Sequence, residues 1–227
     1  MLIRRLDLCL ETLKPKDLET VRKWRNSESV NRNLIERSYI NPQQQDLWYH
    51  SIMNEQNLYL IISYQNKKCG LIYLTHIDWD KLSFETNIFI ADEAFWDSVV
   101  PVYAALIVSD LFFFHFGFQT ALSKFFKSNK RSGDFDTAFG FKIMGEGSED
   151  KDLQFLYATR ESYEFSTRKL RKNLLNGGTA ENMVCVDFEE GDTENPIVAK
   201  IRRQLETAGR DTYPLKSLNF QYNTSLA

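Results

Sequence analysis

Apolar and polar residues recur along this chain with two periods, and the switches between them mark its elements. Residues 2–12 alternate weakly and predict a strand. Residues 16–26 (KDLETVRKWRN) bring Leu18, Val21 and Trp24 onto one helical face, with Pro15 beside the start. A second helix is predicted after Pro42, through QQQDLWYHSIMN. Three strand-like runs follow: residues 58–64 (LYLIISY), 69–77 (CGLIYLTHI) and 83–90 (SFETNIFI). They are rich in aromatic and β-branched residues and separated by polar turns at 65–67 and 78–81.

The most apolar window, residues 99–118 (VVPVYAALIVSDLFFFHFGF), predicts a helix over 101–116. Pro101, Asp110 and His115 interrupt it, so it reads as a buried core helix rather than a membrane span. Beyond it the pattern predicts a strand at 121–126, a short helix at 131–139, a strand at 153–160 and a charged helix at 163–175. Three meandering strands, a buried helix and further strands and helices make a mixed α/β plan with a mixed sheet. After Asn176-Gly177-Gly178 the composition shifts to an acidic run around Glu189, a helix near 197–208 and a polar end. Residues 1–176 are thus expected to form the domain and residues 177–227 a C-terminal extension. No internal repeat is visible.

Composition narrows the class. An apolar share of 43% is too high for a disordered chain, and 227 residues suffice for a full core. The net charge is -3, with 28 basic against 31 acidic residues, which weakens any case for broad nucleic-acid binding. Cys9, Cys69 and Cys185 lie far apart and form no metal-like spacing, so neither a disulfide framework nor a structural zinc site is supported. The N-terminal segment makes a poor signal peptide, and a reducing cytoplasm is the expected setting.

Motifs of nucleophilic, metal or nucleotide chemistry are missing. There is no GxSxG, HExxH, P-loop or GxGxxG, and His50, His76 and His115 share no metal-like spacing. His115 sits beside three phenylalanines and reads as a packed histidine. The basic run 168–172 (RKLRK) reads as a solvated helix face. Glu85 stands out. It lies in a strand that should be half buried, where desolvation raises a carboxylate's pKa and suits it to general-base work. The competing reading is a glutamate on the strand's wet face.

From Glu85 the chain runs ETNIFIADEAFWDSVVPVYAALIVSDLFFFHFGF and on to SNKRSGDFDTAFGFKIMGEG. This order resembles the core of the GNAT N-acetyltransferase superfamily, in which a glutamate-bearing strand leads through an aromatic to the helix that binds acetyl-CoA. Glu85, Asp92, Phe95, Trp96, Asn129, Ser132, Gly140, Phe141 and Gly145 hold the corresponding places. Upstream, RKWRN (22–26) and GLIYLTHID (70–78) are similar to two subgroups, amino-sugar-nucleotide acetyltransferases and ribosomal-protein N-terminal acetyltransferases. The resemblance implies a GNAT fold and Glu85 as base. It implies backbone N–H groups near Phe89 and Ile90 polarising the acetyl carbonyl, and CoA contacts at Asp97, Ser98, Val99, Asn129 and Ser132.

Two departures qualify it. The family's pyrophosphate loop carries glycines whose amides approach phosphate, whereas this chain has Asp97-Ser98-Val99-Val100-Pro101. The family's general-acid tyrosine falls on Asp136, and an ionised aspartate donates no proton. Tyr103 and Tyr157 are the spare phenols. The implied function is acetyl transfer from acetyl-CoA to a primary amine of a small molecule, such as an amino-sugar nucleotide, without a metal, nucleic acid or membrane. The alternative is a catalytically degenerate GNAT-fold binding or assembly module. In either case the C-terminal extension is the expected element for a homodimer or another partner.

Overall fold

In a computed structural model of the chain, residues 1–5, 7–146, 152–175, 184–189 and 191–207 are described. The weak alternation at the start resolves into a hairpin of β1 (Leu2–Arg5) and β2 (Leu8–Thr12), with Leu2 opposite Glu11. The meander follows as β3 (Leu58–Tyr64), β4 (Lys67–Asp78) and β5 (Ser83–Ile90), paired antiparallel as their alternation predicts. The chain then crosses over through a helix to β6 (Thr120–Phe126), parallel to β5, because parallel neighbours cannot be joined by a tight turn. β7 (Lys142–Glu146), β8 (Leu153–Thr159) and β9 (Cys185–Asp187) complete a mixed sheet ordered β7-β8-β6-β5-β4-β3-β2-β1-β9. β7 and β9 are too short for a period to announce them.

Helices cover both faces. On one lie α1 (Leu18–Asn26), α2 (Glu28–Asn31) and α3 (Pro42–Ile52). Buried Val21 packs there with Leu13, Ile61 and Leu71, beneath Trp24, Trp48, Tyr59, Tyr73 and Phe89. The other face carries α4 (Val99–Asp110), α5 (Lys130–Ala138), α6 (Arg160–Leu175) and α7 (Pro196–Thr207).

α4 is the predicted apolar helix, starting two residues early because Ser98 caps it. The Ser98 side chain accepts from Val100 N–H at 3.2 Å. It continues as a π-helical turn, Leu111–His115, in which Phe116 N–H donates to Leu111 carbonyl at 3.0 Å. Phe112, Phe113 and Phe114 are all buried, the first two against Phe84 and the last two against Tyr163. Among the described residues no helix is long and apolar enough to cross a membrane, and the three cysteines are free.

Two expectations change. Arg171, within the basic run read as solvated, is largely buried and pairs with Asp110 at 2.9 Å, while the Tyr163 hydroxyl donates to the same carboxylate at 2.6 Å. Burial pushes the Asp110 carboxyl above its usual range, opposed by the Arg171 charge. The tail read as an extension is, over its described part, built into the sheet and core. β9 pairs with β1, and Ile197, Val198, Ile201 and Leu205 form a helical stripe in the main core. That spacing buries one face of α7, which is why it docks. The junction at 176–183 and residues 208–227 lie outside the described residues.

Candidate active site

The parallel pairing of β5 and β6 stops early. Ser83, Phe84 and Glu85 face Thr120, Ala121 and Leu122, and there the ladder ends. Thr86–Ile90 stays hydrogen-bonded to β4 on one side only, while residues 123–126 stay with β8. The splay leaves one backbone edge of β5 without a strand and opens a cavity of about 770 Å3 through the sheet. Arg25, Tyr73 and Glu85 line it on the α1 side, and Trp96, Pro101 and Asp136 on the α4–α5 side.

Alternation along β5 sorts the chemistry by face. Phe84, Ile88 and Ile90 pack toward α4, whereas Glu85, Asn87 and Phe89 turn to the α1 side. The Glu85 side chain is 14% exposed. Lys124 Nζ stands 3.1 Å from its Oε1, and Asn87 Nδ2 donates to Oε1 at 3.3 Å. His76 Nδ1 lies 3.6 Å from Oε2. His76 has φ +50° beside the irregularity between Thr75 and Asp78, a conformation uncommon for a non-glycine residue, and its side chain is solvent-exposed. An ion pair, rather than an apolar setting alone, surrounds the candidate base.

Asp136 occupies the opposite face. It is buried beneath the end of β6, where Ser123 Oγ–H donates to its Oδ2 at 2.8 Å. Burial pushes its carboxyl up to about 6, with the Ser123 hydrogen bond pulling the other way. The carboxyl therefore keeps a protonated fraction at higher pH than an ordinary aspartate.

The other expected residues divide. Phe89, Ile90, Asn129 and Ser132 line the cavity. Asn129 caps α5 by accepting from Ser132 N–H at 3.2 Å, and the Ile90 carbonyl accepts from Trp96 Nε1 at 2.8 Å. Asp97, Ser98 and Val99 do not line it. Ser98 is spent on its cap, and the 88%-exposed Asp97 side chain points to solvent, 3.3 Å from Arg131. Arg131 lines the cavity instead and lies over the Trp96 ring at 5.1 Å. Tyr103 and Tyr157, the spare phenols, are not in the cavity wall either. Lys124, His76 and Ser123 escape sequence reasoning, because each reaches its partner only through strand register or a bulge. Among the described residues no group of three or more His, Cys, Asp or Glu side chains is arranged to hold a metal.

Comparison with known proteins agrees with this architecture. A family model described as "Acetyltransferase (GNAT) domain" matches residues 7–142. A search of curated proteins finds no match. Among solved structures, spermidine N-acetyltransferase from Vibrio cholerae, in complex with CoA and spermine, superposes with a TM-score of 0.63 at 18% identity. The match covers 69% of this chain and 98% of that one. A domain from Methanocaldococcus jannaschii gives a TM-score of 0.58 at 19% identity, covering 68% of this chain and 99% of that one. At such identities the likeness is one of fold. The family match spans more than half of the sequence and includes both splayed strands, so the chain belongs to the GNAT acetyltransferase domain family.

Proposed function

We propose that this protein is an acetyl-CoA-dependent N-acetyltransferase acting on a primary amine of a small molecule. The observation that carries the reading is the two-sided cavity, with the Glu85 carboxylate on one face and the buried Asp136 carboxyl, raised by desolvation, on the other. The residues present suit acetyl-CoA. The free edge of Thr86–Ile90 offers backbone groups to an extended amide-bearing arm, and Lys130 and Arg131 bring positive charge to the α5 end. The first turn of α4 contributes little, since Val100 N–H is taken by Ser98 and Pro101 has none.

When bound, acetyl-CoA supplies an activated acetyl thioester. Glu85 accepts a proton from the incoming ammonium at Oε1 or Oε2, leaving a nucleophilic amine. Lys124 fixes the carboxylate, and exposed His76 offers the proton a way to solvent. Unpaired N–H groups near Phe89 and Ile90 polarise the acyl carbonyl. On the opposite face Asp136, raised to about 6 by burial and accepting from Ser123 Oγ–H, serves in its protonated fraction as the acid for the departing thiolate. The amine of spermidine-type acceptors and that of amino-sugar nucleotides are both of the required class.

Two measurements test this: calorimetric titration with acetyl-CoA, and thiol release with a panel of amino sugars, polyamines and N-terminal peptides. Binding with thiol release on at least one amine is expected. Absence of both would leave the non-catalytic binding module as the better account.

A further inference from the structure

The cavity's cations are unevenly committed. Lys124 is paired with Glu85 and Arg131 with Asp97. Arg25 and Arg32 also line the wall, and among the described residues neither guanidinium makes an ion pair or hydrogen bond. Its neighbour on α1, Arg22, shows what a committed arginine looks like here: it grips Glu19 at 2.8 Å and donates to the Ile40 carbonyl at 3.1 Å.

Arg25 is half-buried, with its Cζ 5.8 Å from the centre of the Trp48 ring. It lies near the stacked Tyr59–Tyr73 pair, whose ring centroids are 4.9 Å apart. The same two phenols also feel the Glu85 charge, so Arg25 shares the face of the candidate base, across the sheet from Asp136. Glu36 feels the Arg25 charge but is not hydrogen-bonded to it, accepting instead from Ser38 N–H at 2.9 Å and from the Ser38 hydroxyl. Beyond the Trp48 ring no oxygen acceptor among the described residues fills the half-buried Arg25 fork, and that planar fork matches a carboxylate or phosphate.

We infer that the acceptor amine carries an oxyanion, a carboxylate or a phosphate, which Arg25 and Arg32 bind while Glu85 faces the ammonium. This rests on the acetyltransferase reading and narrows it, because one zwitterionic molecule answers both charges on that face. A polycationic acceptor would meet two unpaired arginines and is disfavoured.

The test is calorimetric binding of matched pairs without acetyl-CoA: glucosamine 6-phosphate against glucosamine, and a dipeptide against its C-terminal amide, with spermidine alongside. The anionic member of at least one pair should bind about 10- to 100-fold more tightly, the range of one charge-assisted hydrogen bond. Preference in the first pair alone identifies phosphate as the anion, and in the second alone carboxylate. Arg25→Gln should abolish the preference and Arg25→Lys should restore only part of it. Arg32→Gln, at an exposed residue without a partner, supplies a variant that keeps the fold and should weaken the preference. Equal binding within both pairs, or tightest binding of spermidine, overturns the inference. Acetyl-CoA titration and thiol release, run separately, register failure of the acetyltransferase reading independently.

Discussion

Lys124 Nζ lies 3.1 Å from Glu85 Oε1, bridging β6 and β5 just past the last residue pair at which those strands are hydrogen-bonded. The strands part at Glu85, and this ion pair spans the start of the gap. One residue earlier on β6, Ser123 points the other way and hydrogen-bonds Asp136. Consecutive residues of one strand thus serve the two carboxylates on opposite faces of the sheet.

Replacing the candidate base tests its role directly. Glu85→Gln keeps size and packing but cannot accept the proton, so kcat should fall by about 10²–10⁴-fold with little change in acetyl-CoA affinity. Steady-state kinetics alongside calorimetry separates the two effects. An unchanged kcat would remove Glu85 from the mechanism.

Asp136 should leave a mark on stability. Its folded-state carboxyl titrates near 6, above the ordinary value, so between about pH 4 and 6 the native state holds a proton that the unfolded chain releases. Stability from this group is therefore greatest at low pH and falls as pH rises through that window, by on the order of 3 kcal/mol. Asp136→Asn keeps an acceptor for Ser123 and does not titrate. Melting curves from pH 4.5 to 8 should show a flatter profile for the variant, and parallel profiles would contradict this origin of the shift.

The same carboxyl should shape the pH–rate curve. With Asp136 as the acid, kcat should decline above about pH 6 as its proton is lost. Asp136→Tyr returns a donor that stays protonated to about pH 10, so it should retain or raise activity at pH 8. A wild-type rate that does not decline above pH 6 would argue against the assignment.

The buried Asp110–Arg171–Tyr163 group offers a prediction about stability alone. Arg171→Met leaves Asp110 without its hydrogen-bonded cation, with only the more distant Arg5 charge remaining, and should cost about 3 kcal/mol in denaturant unfolding at neutral pH. Adding Asp110→Asn should recover part of the loss. Independent, additive losses in the double variant would mean that the two residues are not coupled.

Gly140 is needed for its backbone. Its φ is +85°, and an added Cβ would lie 2.4 Å from the Ser162 carbonyl oxygen, so α5 ends in close contact with the start of α6. Gly140→Ala should destabilise by more than the roughly 1–2 kcal/mol of left-handed strain alone. A melting temperature within a degree of wild type would contradict that close approach.

Periodicity alone located the meander, the apolar helix and most boundaries to within a few residues, because hydrophobic spacing is a local property that burial enforces wherever the elements meet. It placed Glu85 on a half-buried strand for the same reason, and the motif order from Glu85 to Gly145 pointed to the family. Register and packing decided what no local pattern encodes. Asp97, Ser98 and Val99 fall outside the cavity because Ser98 is drawn into a cap, and Arg131 takes their place in the wall. Lys124 and His76 reach Glu85 only because two strands part and a third bulges, and the hydroxyl of Ser123 reaches Asp136 only once β6 is in place. The Asp136 titration depends on burial by elements distant in sequence, and β9 and α7 join the sheet and core across a long stretch of chain. Spacing along the chain sets which face a side chain takes, whereas its partners, its hydration and hence its chemistry depend on what the fold packs against that face.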